Sequence, residues 1–135
     1  MYFLISELIN VLKESPVLEG VKVAEAYDVT EVNAPMVSLS ESPGNGALFP
    51  NGNPRLIRSY YQLEVYARQK NGKTALENAR TLMSNVNEIL TRQYGFTQTG
   101  ESIFAPYVED RTVIRGVVRY YALIDTKENI IYQNV

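Results

Sequence analysis

The chain contains neither cysteine nor histidine. Without cysteine there is no disulfide frame, no thiolate nucleophile and no cysteine-built metal site. Without histidine the commonest general base and the commonest transition-metal ligand are gone. Tryptophan is absent too, yet there are ten tyrosines, which combine apolar area with a polar tip and suit half-buried and interface positions. Charge of either sign is scarcely in excess, at −2 overall. No basic surplus advertises nucleic acid, and no charge run marks a disordered tail. Long apolar runs are missing as well. Met1-Tyr2-Phe3-Leu4-Ile5 has the look of a leader, but Glu7 and Asn10 interrupt it and no basic start or small-residue cleavage site accompanies it. It is too short to span a bilayer. Carboxylate chemistry remains open in principle, but no carboxylate pair, nucleophile–base pair or metal cluster stands out. No catalytic residue, cofactor or metal is expected.

At 135 residues the chain reads as one domain, 1–135. A chain of this size buries roughly two-thirds of its unfolded surface, enough for a core. The best-patterned stretch runs from Leu56 to Gly95. Ile57, Tyr61, Leu63, Val65 and Ala67 fall on one parity, and Arg58, Tyr60, Gln62, Glu64, Tyr66 and Arg68 on the other. That alternation predicts a strand with one apolar and one polar-aromatic face. Lys70-Asn71-Gly72-Lys73 is a turn. Thr74 and Glu77 have capping-box spacing, and Leu76, Ala79, Leu82, Met83, Val86, Ile89 and Leu90 form a helical stripe ending at Arg92 and Gly95.

Around this unit the remaining elements follow in order. Leu4, Leu8, Val11 and Leu12 share a helical face, predicting a helix over 2–14 that Ser15-Pro16 stops. Val21–Tyr27 and Pro35–Ser40 read as strands joined by a hairpin-like return. Glu41–Arg55 is rich in Gly, Pro and Asn and reads as a long flexible loop. Leu48 and Phe49 in its middle either tuck onto their own domain or order on a partner. Phe96–Glu101 reads as a short strand, and Ile103–Tyr107 as an apolar connector bearing Phe104. Thr112–Asp125 is a long strand: Ile114, Val118, Tyr120, Ala122 and Ile124 take one face, Arg115, Val117, Arg119, Tyr121 and Leu123 the other. After a turn at 126–129, Ile130–Tyr132 returns as a strand. The expected fold is α+β: a single mainly antiparallel or mixed sheet with two helices packed on one face.

One motif invites a different reading. Ala67-Arg-Gln-Lys-Asn-Gly-Lys-Thr74 matches a phosphate-binding P-loop except that Ala67 stands in place of the first glycine. On that reading Lys73 meets the β/γ-phosphates while Thr74 and Asp125 hold Mg²⁺. The ordinary reading is stronger: Thr74 already serves as a cap, Asn-Gly is a turn, and hairpins do not build a parallel nucleotide-binding sheet. Arg115, Arg119 and Tyr121 are candidates for an anionic ligand or a subunit-facing surface. Arg58, Tyr60, Tyr66 and Arg68 could stack nucleic-acid bases, but the chain lacks a basic excess.

Three stretches carry a resemblance. Val37-Ser-Leu-Ser-Glu-Ser-Pro-Gly44, Tyr60-Tyr-Gln-Leu-Glu-Val-Tyr-Ala-Arg68 and Ala75-Leu-Glu-Asn-Ala-Arg-Thr-Leu-Met83, with the closing Arg115-Gly-Val-Val-Arg-Tyr-Tyr-Ala-Leu-Ile-Asp125, resemble the small minor capsid or tail-completion proteins of tailed bacteriophages. The resemblance covers about residues 36–125 and implies a small α+β subunit of a ring, usually hexameric, at the end of the tail tube. Such a tail terminator stops tube growth and joins tail to head. It implies a virion location, assembly in the host cytoplasm, and three partners: further copies of itself, the tail tube protein and a head-completion or connector protein. It implies no enzyme activity, cofactor, membrane or sequence-specific nucleic acid. The interaction candidates are then Leu48, Phe49, Arg58, Tyr60, Tyr66, Phe104, Arg115, Arg119 and Tyr121. A small-molecule-binding regulatory domain of ferredoxin-like type is the alternative, and a degenerate P-loop protein the third.

Overall fold

The computed structural model describes residues 5–43, 56–125 and 130–131. The fold is α+β. Helix α1 spans Ile5–Glu14 and ends where Ser15-Pro16 forbids another turn. Strand β1 (Lys22–Glu25) is followed by a 3₁₀ turn over Ala26–Asp28, then β2 (Met36–Pro43) and the long β3 (Leu56–Ala67). Helix α2 spans Ala75–Glu88 and runs on as a π-helical turn, Ile89–Gln93, before Gly95 takes a left-handed φ of 71°. Strands β4 (Thr97–Gln98), β5 (Ile103–Pro106), β6 (Ile114–Asp125) and β7 (Ile130–Ile131) complete the described chain.

These strands form one mixed sheet in the order β1-β2-β3-β6-β4, with β5 and β7 also paired to β6. β3 and β6 are antiparallel along their full lengths, Leu56 opposite Asp125 and Ala67 opposite Ile114. The side chains at positions 37, 39 and 41 of β2, the odd-numbered ones from Ser59 to Ala67 of β3 and the even-numbered ones of β6 point to one face. There they meet Leu8 and Leu12 of α1 and Ala79, Leu82, Met83 and Val86 of α2 in one core. Leu39, Leu63 and Val118 form a buried row across three strands. Both described helices therefore cover the same face, as the alternation required.

Three local expectations are corrected. β1 and β2 do not form a hairpin: they run parallel, Lys22 beside Met36 and Glu25 beside Leu39. Alternation reports which face a residue takes and is blind to strand direction. Residues 26–35 are enough to bring the chain back to the start of the next strand, whereas a tight turn could join only antiparallel neighbours. Ile103–Pro106 is a strand, not a connector. β5, β4 and β7 relay along the outer edge of β6, opposite residues 114–117, 120–121 and 124–125. A twelve-residue strand needs that edge covered, and the cover comes in pieces. The long loop starts later than expected, because Glu41, Ser42 and Pro43 still pair with Tyr61, Tyr60 and Ser59. Its remaining part, with Leu48 and Phe49, lies outside the described residues. So do the start of the expected first helix, the turn at 126–129 and Tyr132.

Candidate interaction surface

The sheet's second face carries no helix among the described residues. Its residues come from alternate positions of three strands: Ser38, Ser40 and Ser42 on β2; Arg58, Tyr60, Gln62 and Glu64 on β3; Arg115, Val117, Arg119, Tyr121 and Leu123 on β6. The register aligns them in rows, Ser42–Tyr60–Tyr121, Ser40–Gln62–Arg119 and Ser38–Glu64–Val117.

Polar contacts tie these rows together. Glu64, whose side chain is only 13% exposed, accepts from Arg115 in a salt bridge, from Ser38 Oγ at 3.3 Å and from Tyr66 Oη at 3.4 Å. Gln62 donates to Glu64 at 3.4 Å and accepts from Arg119 Nε at 3.0 Å. The Arg58 guanidinium lies 4.6 Å above the centre of the Tyr121 ring. Arg119 is exposed, and neither it nor Arg58 has a carboxylate partner among the described residues. Between the rows lies a cleft of about 170 Å³ lined by Ser40, Ser42, Tyr60, Gln62, Thr99 and Arg119. The lining offers hydroxyls, one amide, an aromatic wall and a cation. These groups can donate hydrogen bonds and stack against a ring.

One end of this face is closed. Met36, Tyr66 and Val113 form a second small core with Val29, Val32, Ala34 and Tyr107 packed on it. Tyr66 and Tyr107 meet edge to face, 5.4 Å between centroids. Burial raises the Tyr66 phenol above its ordinary value, with the Tyr107 phenol adding to it. Tyr107 is raised by burial and by Glu109, to which it donates at 3.3 Å. Asp110 fastens the same end. It accepts from the Thr112 hydroxyl at 2.6 Å and the Thr112 amide at 3.1 Å, and pairs with Arg68 at 3.0 Å. The Thr112 bonds first, and Arg68 after them, hold its carboxyl below the usual range. Among the described residues no group of three or more acidic side chains is placed to hold a metal ion.

Of the residues singled out in the sequence, Arg58, Tyr60, Arg115, Arg119 and Tyr121 come together on the open face. Tyr66 shares the face but is sealed under Tyr107. Phe104 lies on the opposite, helix-covered side: its ring rests on Gly116, with Arg80 5.9 Å from the ring centre. It serves the core. The P-loop-like stretch closes as a two-residue turn. The Lys73 amide donates to Lys70 O at 3.0 Å and the Lys70 amide to Lys73 O at 3.1 Å. Asn71 and Gly72 take φ of 54° and 75°. Both central residues in the left-handed region give a type I′ turn, for which Asn-Gly is the preferred pair. Asp125 sits at the far end of β6, roughly 35 Å from Ile114 at about 3.3 Å per residue, so it and Thr74 cannot share an ion.

Sequence reasoning missed Tyr27 and the Tyr107–Asp110 closure. Tyr27 shares the parity of the inward Val23, yet the 3₁₀ turn rotates it outward to 80% exposure. The closure left one legible signal: Asp110 two residues before Thr112 has the spacing of a turn closed by a side-chain carboxylate. No protein-family model matches the chain, and no curated protein matches it.

Proposed function

We propose that the chain is a structural subunit of a tailed-phage virion, forming a ring at the end of the tail tube that terminates the tube and joins it to the head. The observation that carries the proposal is the open sheet face. Tyr60, Tyr121, Arg58, Arg115 and Arg119 converge there with Val117 and Leu123, and no lysine lies among the residues of β2, β3 and β6. Tyrosine and arginine enrichment with lysine depletion is the composition of a protein–protein interface. Ile103, opposite Val117 at the edge of the same face, is 69% exposed and extends the apolar area. The resemblance of residues 36–125 to tail-completion proteins supplies the kind of assembly. In this reading the partners are further copies, the tail tube protein and a head-completion or connector protein.

Native mass spectrometry of the purified chain, with negative-stain microscopy, tests the reading. A closed ring, hexameric by analogy with the proteins it resembles, is expected. A species that stays monomeric across the concentration range, alone and with tail tubes, would overturn it.

A further inference from the structure

The three arginines of the open face are held in three different ways. Arg115 is engaged with Glu64 in a salt bridge. Arg58 has its guanidinium over the Tyr121 ring. Arg119 is fixed at one nitrogen: its Nε donates to Gln62 Oε1 at 3.0 Å, and its two terminal NH₂ groups have no hydrogen-bond partner among the described residues. That single bond is set from further away. Glu64 Oε1 accepts from Arg115 and from Gln62 Nε2 at 3.4 Å, while its Oε2 accepts from Ser38 Oγ and Tyr66 Oη. A carboxylate only accepts, a guanidinium only donates, and an amide side chain does one at each end. Standing between the two, Gln62 has one way round. Its NH₂ group faces Glu64, and its oxygen is left for Arg119. Reversed, it would set oxygen against carboxylate and NH₂ against guanidinium.

We propose that Glu64 is a positioning residue: acting through Gln62, it fixes Arg119 so that its two NH₂ groups receive a carboxylate end-on from the docking subunit. This rests on the reading of the open face as the assembly surface, and names the chemical group that the face takes. With Nε engaged, the pair of terminal nitrogens is the edge left for a bidentate contact, and a carboxylate matches that fork. Arg119 lines the cleft of about 170 Å³ together with Ser40, Ser42, Tyr60 and Thr99, whose hydroxyls are further donors. No acidic side chain lines it among the described residues. A site rich in donors and free of acids takes an acceptor. A guanidinium oriented beforehand loses less freedom when the partner arrives, and this is what Glu64 contributes.

The relay is read in the single subunit, diluted below its assembling concentration, with ¹⁵N-labelled arginine. The Arg119 Nε–H signal, identified by its loss in Arg119→Lys, should exchange slowly with solvent deuterium. Gln62→Ala should speed that exchange about tenfold or more, as the loss of a hydrogen bond to a charged group implies. Glu64→Gln, at a residue not hydrogen-bonded to Arg119, should do the same, because an amide there lets Gln62 turn either way. Glu64→Asp, which keeps the charge but draws the carboxylate back from Gln62, should match it. Arg115→Gln should leave the Arg119 signal protected, since Glu64 still faces Gln62. In native mass spectrometry Arg119→Lys, Gln62→Ala and Glu64→Gln should each weaken self-assembly. If Arg119 exchanges no faster in the two Glu64 variants than in the wild type, or equally fast in Arg115→Gln, the relay is wrong and the ring reading stands. If Arg119→Lys assembles as well as the wild type, charge alone suffices and the end-on carboxylate is wrong. If the wild type never assembles, the ring reading falls and the carboxylate with it, while the exchange rates still decide the relay.

Discussion

A Cβ built at Gly116 would stand 2.7 Å from Phe104 and 2.9 Å from Val65 Cγ2, inside any tolerated contact. Gly116→Ala should therefore cost about 1–3 kcal/mol through overpacking, read in denaturant melts. In the Phe104→Ala background the same change should cost much less, because the nearest obstacle is gone. Equal costs in both backgrounds would put the strain elsewhere. Tyr120 offers a second test at this scale. Its hydroxyl donates to Asn87 Oδ1, and burial pushes the phenol well above the usual tyrosine range. The unfolded chain ionises near pH 10 and the folded one later, so between those values the folded state holds the extra proton. Stability is thus fully present below about pH 10 and declines as pH rises toward the folded value. Tyr120→Phe should lower stability at pH 7 by about 1 kcal/mol, through the lost hydrogen bond, and should flatten the alkaline decline. An unchanged slope would rule out Tyr120 as its source.

Helix α2 shows how an element is set by its ends. Thr74 Oγ1 accepts from the Glu77 amide at 3.1 Å, satisfying one of the helix's orphan donors. The type I′ turn before it positions Thr74, and Asn78 Nδ2 reaches back to Arg68 O at 2.8 Å to lock turn against helix. Thr74→Ala should destabilise the fold by about 1 kcal/mol, while Lys73→Ala, on an exposed turn, should be close to neutral. Calorimetry with ATP and Mg²⁺ is expected to show no heat of binding. Micromolar binding lost in Lys73→Ala would restore the nucleotide reading. This element was almost wholly legible, because capping spacing, a helical stripe and an Asn-Gly turn are local signals. β1 and β5 were less so. Their pairing partners lie elsewhere in the chain, and nothing in Lys22–Glu25 or Ile103–Pro106 states which edge each will cover or in which direction.

At the scale of the whole molecule, two unlike faces divide the work. One is filled by both helices. The other is tied by Glu64 and Gln62, closed at the Tyr66 end and open around Arg119. If the arginines of the open face draw copies together through charge, self-assembly should weaken as salt rises, since the screening length falls from about 10 Å at ~0.1 M to about 3 Å at ~1 M. Sedimentation across that range should show dissociation. Assembly that strengthens with salt would point instead to apolar contact through Val117, Leu123 and Ile103.

Sequence alone determined the identity of each face, since side-chain parity follows from strand geometry whatever the neighbours are. Leu63 and Val118 read as inward, Arg58, Tyr60, Arg119 and Tyr121 as outward, and the structure places them so. It also determined the cap, stripe and stop of α2. Tertiary structure decided what depends on distant partners: the parallel pairing of β1 and β2, and the placing of β4 and β5 along the edge of β6. It likewise decided that Phe104 serves the core and that Tyr107 seals Tyr66. Tyr27 belongs with these. Its parity points inward, and only the 3₁₀ turn, set where the chain must leave β1 and double back to β2, rotates the ring into solvent.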